Sequence, residues 1–269
     1  MTIEREITIG NIRLIQGDMT QVLPGLDLQA DMVLSDPPYR IVKGGNKTGE
    51  MRGCMSRDQY DNSGELFPIV EWHDMAPLFY NALAKDADAV VMTSDREGHA
   101  ARTALQDAGF GFHRTLIWNK GTATPNRYYM PDCEFGLYMW KGRARTISDC
   151  GSKALTRYPH SDVSHLYIPK SHYVDGRRPA GHPTEKPVGL LRKWLTNSTD
   201  AGGLVLDPFF GSGSTLVAAA LSGRAAVGIE LNPMWFDVAV ARVREAVEAA
   251  QFDLFENRPD SAVQGALQV

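Results

Sequence analysis

Short apolar, β-branched runs alternate along the chain with stretches of helical periodicity, the pattern of helices packed on a mostly parallel sheet. The runs predict strands over Ile12–Gln16, Met32–Ser35, Ala89–Thr93, Thr115–Asn119, Glu134–Trp140, Leu204–Asp207 and Ala225–Glu230. Helical spacing predicts His73–Lys85, Glu97–Ala108, Pro187–Thr196, Gly213–Ser222 and Pro233–Phe252. In the last helix Val238, Val240, Val243 and Val247 recur on one side, with Arg242, Arg244 and Glu245 elsewhere. Trp140, Trp194 and Trp235 sit on apolar faces and are assigned to the core. Residues 40–66 and 142–181 have no period, are rich in Gly, polar and basic groups, and read as two inserts. Loops of that length inside a domain are usually functional or mobile. The expected fold is therefore α/β, one domain over residues 1–256, with residues 257–269 a disordered tail.

Composition narrows this only slightly. The 269 residues are 43% hydrophobic and 22% charged, ordinary for a packed globular domain. No apolar run approaches the ~20 residues that span a bilayer. The N-terminal MTIEREITIG lacks a secretory h-region, and Cys54, Cys133 and Cys150 form no C-x-x-C pair. Both features point to a reducing, cytoplasmic location. The net charge of −4 gives no sign of a nucleic-acid partner, but its distribution does. Residues 40–57 carry five basic groups against Glu50, and residues 141–181 carry eight against three acids. A polyanion would be drawn to those two segments. On charge alone, two solvated loops read equally well.

Chemistry concentrates at two places. In Leu206-Asp207-Pro208-Phe209-Phe210-Gly211-Ser212-Gly213, an apolar strand ends at an acid and a glycine loop leads into a helix. Such a loop lets a ligand approach backbone N–H groups at the helix start. The next strand ends at Glu230, well placed to accept both hydroxyls of a ribose. A dinucleotide loop would need a third glycine where Leu216 stands, and Asp207 would repel a pyrophosphate. A cationic nucleoside ligand such as a sulfonium fits better. The second place is Ser35-Asp36-Pro37-Pro38-Tyr39, at the end of a strand. The prolines hold the backbone extended, so the Asp36 carboxylate and the Pro37 carbonyl form an acceptor pair beside an aromatic ring. That is the complement of an exocyclic amino group on a flat base.

These motifs, in this order, resemble the amino-group DNA methyltransferases (N6-adenine and N4-cytosine) in their permuted form, where the catalytic tetrapeptide precedes the cofactor loop. Asp36-Pro37-Pro38-Tyr39 matches the tetrapeptide, Asp207 to Gly213 the loop, and His182-Pro183-Thr184-Glu185-Lys186-Pro187 the segment ahead of the loop. Gly17-Asp18, Ile117-Trp118-Asn119-Lys120 and Glu134-Phe135-Gly136-Leu137-Tyr138 also stand where the family has recurring segments. The resemblance implies a Rossmann-like methyltransferase fold with a seven-stranded sheet, in which Met32–Ser35 and Leu204–Asp207 are central neighbours. It implies S-adenosylmethionine as cofactor, held by Asp207, Pro208, Phe209, Phe210, Gly211, Ser212, Gly213 and Glu230. Asp18 would take its adenine end, Thr184 and Lys186 its carboxylate, and Asp36 would face it as well as the target. Asp36, Pro37, Pro38 and Tyr39 are the expected catalytic residues.

The implied partner is duplex DNA with the target base flipped out, because a stacked base cannot reach the cofactor. Candidate DNA contacts are Arg40, Lys43, Lys47 and Arg52 in the first insert, and Arg143, Arg145, Arg157, Arg177 and Arg178 in the second. Asp36 favours N6-adenine, since N4-cytosine enzymes more often carry Ser there. An RNA adenine methyltransferase and a catalytically silent DNA-binding subunit are the further alternatives. Ring-carbon chemistry lacks its Pro-Cys dipeptide, and His160, His165 and His172 lack partners for a metal, so none is expected. A homodimer and a restriction endonuclease partner stay open.

Overall fold

All seven predicted strands form, and two unpredicted ones extend their sheet at its edges. The computed structural model describes residues 2–39, 69–121, 123, 129–158 and 185–256, the side chains of 253–256 excepted. Its elements run β1 (Arg5–Ile9), β2 (Ile12–Gln16), α1 (Met19–Val22), β3 (Ala30–Ser35), α2 (Trp72–Ala82), β4 (Leu83–Thr93), α3 (Gly98–Asp107), β5 (Gly111–Asn119), β6 (Cys133–Lys141), β7 (Leu155–Arg157), α4 (Val188–Ser198), β8 (Leu204–Asp207), α5 (Ser214–Ala220), β9 (Ala225–Glu230) and α6 (Pro233–Glu256). Most of the first insert, the second insert beyond Tyr158 and the tail lie outside the described residues.

The nine strands lie in the order β1-β2-β9-β8-β3-β4-β6-β5-β7. From β2 through β4 every pairing is parallel; β1 pairs antiparallel with β2, and β6 with both β4 and β5. The fold is thus the Rossmann-like one expected, with nine strands in place of seven. β1 escaped the sequence reading because it is the short first arm of a hairpin, turned by Gly10-Asn11 with Gly10 at φ +59°. β7 escaped because three residues show no period; it pairs parallel with β5.

The strand faces explain the near-continuous apolar runs. Met32, Leu34, Val90, Met92 and Val205 pack into one core, under α4, α5 and α6. Val33, Ala89, Val91 and Leu206 pack into the other, under α1, α2 and α3. A parallel sheet covered on both faces needs apolar residues at successive positions. α2 stops three residues before the predicted helix end: Leu83 pairs with Ala30 and opens the long β4, so sheet pairing overrides the helix propensity of Leu83-Ala84-Lys85. Among the described residues no helix is long and apolar enough to cross a membrane.

α6 buries a charge. Arg242, expected away from the valine side, is 7% exposed and faces the glycine loop. Its guanidinium donates to the Ser212 carbonyl at 2.6 Å and to Glu185 Oε1 at 2.6 Å. The signal was in the sequence, because position 242 falls three and four residues after the buried Ala239 and Val238 and four before Ala246. Gly213 serves the same contact. At φ +84° it opens α5, and a Cβ there would stand 2.8 Å from Ala239 Cβ. Arg242→Met should leave the Glu185 carboxylate buried without its cation, which typically costs about 3–5 kcal/mol. Urea unfolding of the variant tests this; a loss below about 1 kcal/mol would mean that the pair is dispensable.

Candidate active site

The crossovers place the site. From β8 the chain passes through α5 to β9 on one side, and from β3 it passes on to α2 and β4 on the other. β3 and β8 are neighbours, so the connections diverge between them, and an open α/β sheet has its crevice at such a point. A cleft of about 840 Å³ lies there, at the carboxyl ends of β2, β9, β8 and β3. That volume suits a small-molecule site. The described candidates for catalysis and cofactor binding all line it except Gly213, whose role is packing against α6. Thr184 lies outside the described residues.

Asp207 ties the two motifs together. Its Oδ1 accepts from Ser35 Oγ at 2.7 Å and from the Phe209 N–H at 3.1 Å. The carboxylate therefore links the end of β8 to the end of β3 and turns the loop that follows. Burial pushes it up to about 6. The two phenylalanines pin that loop to opposite faces of the sheet: Phe210 packs into the core beneath α6, and Phe209 meets Phe79 edge-on at 6.4 Å. Gly228 makes room for Phe210, since a Cβ there would stand 2.5 Å from its ring.

Glu230 faces the loop from the end of β9. The Gly211 N–H donates to its Oε2 at 2.9 Å and the Asn232 N–H to its Oε1 at 2.7 Å. The carboxylate is fixed in orientation, with one further lone pair per oxygen for ligand hydroxyls. Burial pushes it up to about 7, against the pull of those backbone donors. Asp18 caps α1 across the cleft, its Oδ1 accepting from Thr20 N at 2.8 Å and from Thr20 Oγ1 at 2.7 Å.

Asp36 holds the other side of the cleft. Its Oδ2 is engaged by the Lys186 ammonium, and its Oδ1 is buried with no hydrogen-bond partner among the described residues. Burial raises the carboxyl above its ordinary range, while Lys186 pulls it down. Tyr39 packs against the core under α2, where burial raises its phenol. Lys186 departs from the role the resemblance implied. Its ammonium is held by two carboxylates of the protein, Asp36 and, at 3.3 Å, Glu134.

The candidate DNA contacts separate by geometry. β6 runs antiparallel to β4, so the chain leaving Lys141 emerges at the end of the sheet opposite the cleft. There Arg143 pairs with Asp86 at 3.6 Å and Arg145 with Asp200 at 2.5 Å. Expected beside the flipped base, both stand instead at the end of the sheet away from the cleft. β7 then carries the chain back beside β5, bringing the exposed Arg157 level with Asn119 at the cleft end. Arg40, Lys43, Lys47, Arg52, Arg177 and Arg178 lie outside the described residues, as do His160, His165 and His172.

Comparison with known proteins agrees with this arrangement. The family profile described as DNA methylase (N6/N4) matches residues 30–241. A protein of Escherichia coli (strain K12) named as a methylase, YubD, is 32% identical over 244 residues, covering 89% of this chain and 93% of its own. Among solved structures, the PvuII DNA methyltransferase, described as cytosine-N4-specific, superposes with a TM-score of 0.67 at 16% identity, covering 96% of this chain and 98% of that one. A complex of M1.HpyAVI with SAM gives 0.59 at 21% identity, covering 86% and 99%. The chain belongs to the N6/N4 DNA methylase family.

Proposed function

We propose that this chain transfers a methyl group from S-adenosylmethionine to the N6 amino group of a flipped adenine in DNA. The observation that carries the reading is the Asp36 carboxylate. One oxygen is tethered, and the other is a buried acceptor without a donor among the described residues, in the same cleft as a fixed carboxylate at Glu230. An unsatisfied buried acceptor costs about 1–3 kcal/mol, which an incoming N–H donor would relieve.

S-adenosylmethionine, when bound, supplies an electrophilic methyl group on a sulfonium. The residues present fit such a ligand. Glu230 offers its remaining lone pairs to the ribose hydroxyls, the Gly211 loop gives the backbone close approach, and the carboxylates suit a cation. On the target side, Asp36 Oδ1 and the Pro37 carbonyl accept the two amino N–H bonds. This favours a pyramidal nitrogen whose lone pair is freed from the ring. Asp36 Oδ1, accepting one amino N–H bond, would be placed to hold the proton that the methylated nitrogen gives up. Pro38 keeps the segment extended, and Tyr39 stacks on the extruded base. Asp36 favours adenine over cytosine N4, and intact motifs on both sides of the cleft argue against a silent subunit.

Methyl-labelled cofactor incubated with DNA, followed by nucleoside analysis, should give N6-methyladenine. Label in N4-methylcytosine would overturn the base assignment, and label only in RNA the substrate. Asp36→Ala should lower the rate by ~10²–10³ and keep cofactor affinity within a few fold. A variant above about a tenth of the wild-type rate would place the acceptor elsewhere.

Cofactor affinity should depend on pH through Glu230. Its carboxyl carries a proton below about 7, and the ionised form is the better acceptor for two hydroxyls. Affinity for S-adenosylmethionine should thus strengthen as pH rises through about 7. Glu230→Gln should weaken binding by about one to two decades and flatten that rise. Calorimetry across the range tests both; an unchanged slope in the variant would assign the dependence to another group.

Binding to DNA should follow the two ends of the sheet. Arg157→Ala should weaken all DNA alike and reduce the salt slope by ~1. The Arg177→Ala/Arg178→Ala double variant should lower DNA affinity and leave cofactor affinity unchanged. Arg143→Ala/Arg145→Ala should bind DNA as the parent does. Filter binding over a salt series would contradict this geometry if the last pair proved the most damaging.

A further inference from the structure

Two segments that recur in the family, Ile117–Lys120 and Glu134–Tyr138, supply nothing to the cleft described so far. The structure brings their charged ends to the catalytic carboxylate. Lys120 follows β5, Glu134 lies near the start of β6, Lys186 precedes α4 and Asp36 follows β3. They form a row of alternating sign. The Lys186 ammonium contacts Asp36 Oδ2 and, at 3.3 Å, Glu134 Oε2; the Lys120 ammonium stands 3.4 Å from Glu134 Oε1. None of the four side chains is more than 24% exposed, and Lys186 is only 6% exposed. Opposite charges held this close offset part of the desolvation cost that each would carry alone.

We propose that Lys186 and Glu134 are positioning residues for the catalytic carboxylate: Lys186 keeps Asp36 ionised and holds it by one oxygen, while Glu134, braced by Lys120, draws off part of that ammonium's charge so that the other oxygen stays a strong acceptor. The inference rests on the amino-group methyl transfer set out above.

Two requirements on Asp36 conflict, and the row reconciles them. A carboxyl in so enclosed a place tends to protonate, and a protonated Asp36 cannot accept the amino N–H bonds. A full ion pair with Lys186 alone would keep it ionised but would leave it a weak acceptor. Sharing one ammonium between two carboxylates gives an intermediate result. The directions agree: Glu134 lies below its ordinary range because Lys186 and Lys120 outweigh its burial, whereas Asp36 lies above it. Glu134 is thus the permanent counter-charge and Asp36 the one that can take a proton. The charged or titratable groups that bear on Asp36 are Lys186, Glu134, Tyr39 and Asp207, with Glu97 acting on Tyr39. Only Lys186 among them favours its ionised form.

The two positioning residues predict opposite pH shifts, which a packing role would not produce. In Lys186→Met the acid limb of kcat should move to higher pH, with at least a tenfold loss of kcat near neutrality. In Glu134→Gln it should move to lower pH, with a smaller loss. Lys186→Arg should restore most of the lost rate. The same directions should appear without any turnover, in the carbon-13 carboxyl titration of Asp36 in aspartate-labelled protein, the resonance being assigned with Asp36→Asn. Calorimetry with S-adenosylmethionine should find affinity unchanged in both variants. Should Lys186→Met fail to fold, Glu134→Gln still decides the matter, because it keeps the side chain's size and one of its two acceptor oxygens. Unmoved limbs and titrations in active variants would overturn the inference. So would a large loss of cofactor affinity in Lys186→Met, which would return the ammonium to the cofactor's carboxylate. If the wild type methylates no DNA, the functional reading fails, while the Asp36 titration still tests the row.

Discussion

The parallel pairing of β3 with β8 is the constraint on which the rest depends. It sets Met32 beside Val205 and Val33 beside Leu206, so the two strands end together. The Ser35–Asp207 hydrogen bond, at 2.7 Å, locks those ends. Two motifs far apart in the chain thereby open into one cleft, one bearing the Asp36 carboxylate and the other the glycine loop that follows Asp207. The strands that follow β3 and β8 in the chain, β4 and β9, lie on opposite sides of this pair, so the cleft falls where the strand order diverges.

Charge in the cleft follows from how that junction is buried. Asp207 and Glu230 both lie above their ordinary ranges, because burial outweighs the hydrogen bonds that they accept. Asp36 differs in having Lys186. Asp207 and Glu230 thus suit a cationic ligand, whereas the charge of Asp36 is set by Lys186 and Glu134. On the far side of the glycine loop, Arg242 and Glu185 form a second buried pair that holds the loop to α6 and to the segment before α4. Lys186 follows Glu185 directly, so one short stretch anchors the cofactor loop with one residue and the catalytic carboxylate with the next.

Much of this was legible in the sequence, and the reason is local. Loops that admit a ligand need glycine or proline at fixed places, so Asp36–Tyr39 and Asp207–Gly213 stand out in one dimension. Both-face burial makes central strands continuous apolar runs, as in Met32-Val33-Leu34. What was missed depends on partners distant in the chain. The head of β4 has helical propensity and becomes strand only because Ala30 is there to pair with Leu83. Arg242 interrupts an apolar stripe, a detectable signal, but its partners at Ser212 and Glu185 are not its sequence neighbours. Lys186 and Glu134 were both recognised as parts of recurring segments, yet nothing in their spacing says that they meet. Arg143, Arg145 and Arg157 looked equivalent until the antiparallel run of β6 and the return along β7 put them at opposite ends of the sheet.

On the proposed reading, one cleft presents the methyl donor to a base held by Asp36. A crystal structure of the full chain with S-adenosylmethionine and deoxyadenosine tests it most directly. The account predicts the ribose of the cofactor on Glu230, the exocyclic nitrogen within hydrogen-bond reach of Asp36 Oδ1, and the Lys186 ammonium still on Asp36 and Glu134. A cofactor seated away from the Gly211 loop, or an Asp36 that touches neither ligand, would contradict it.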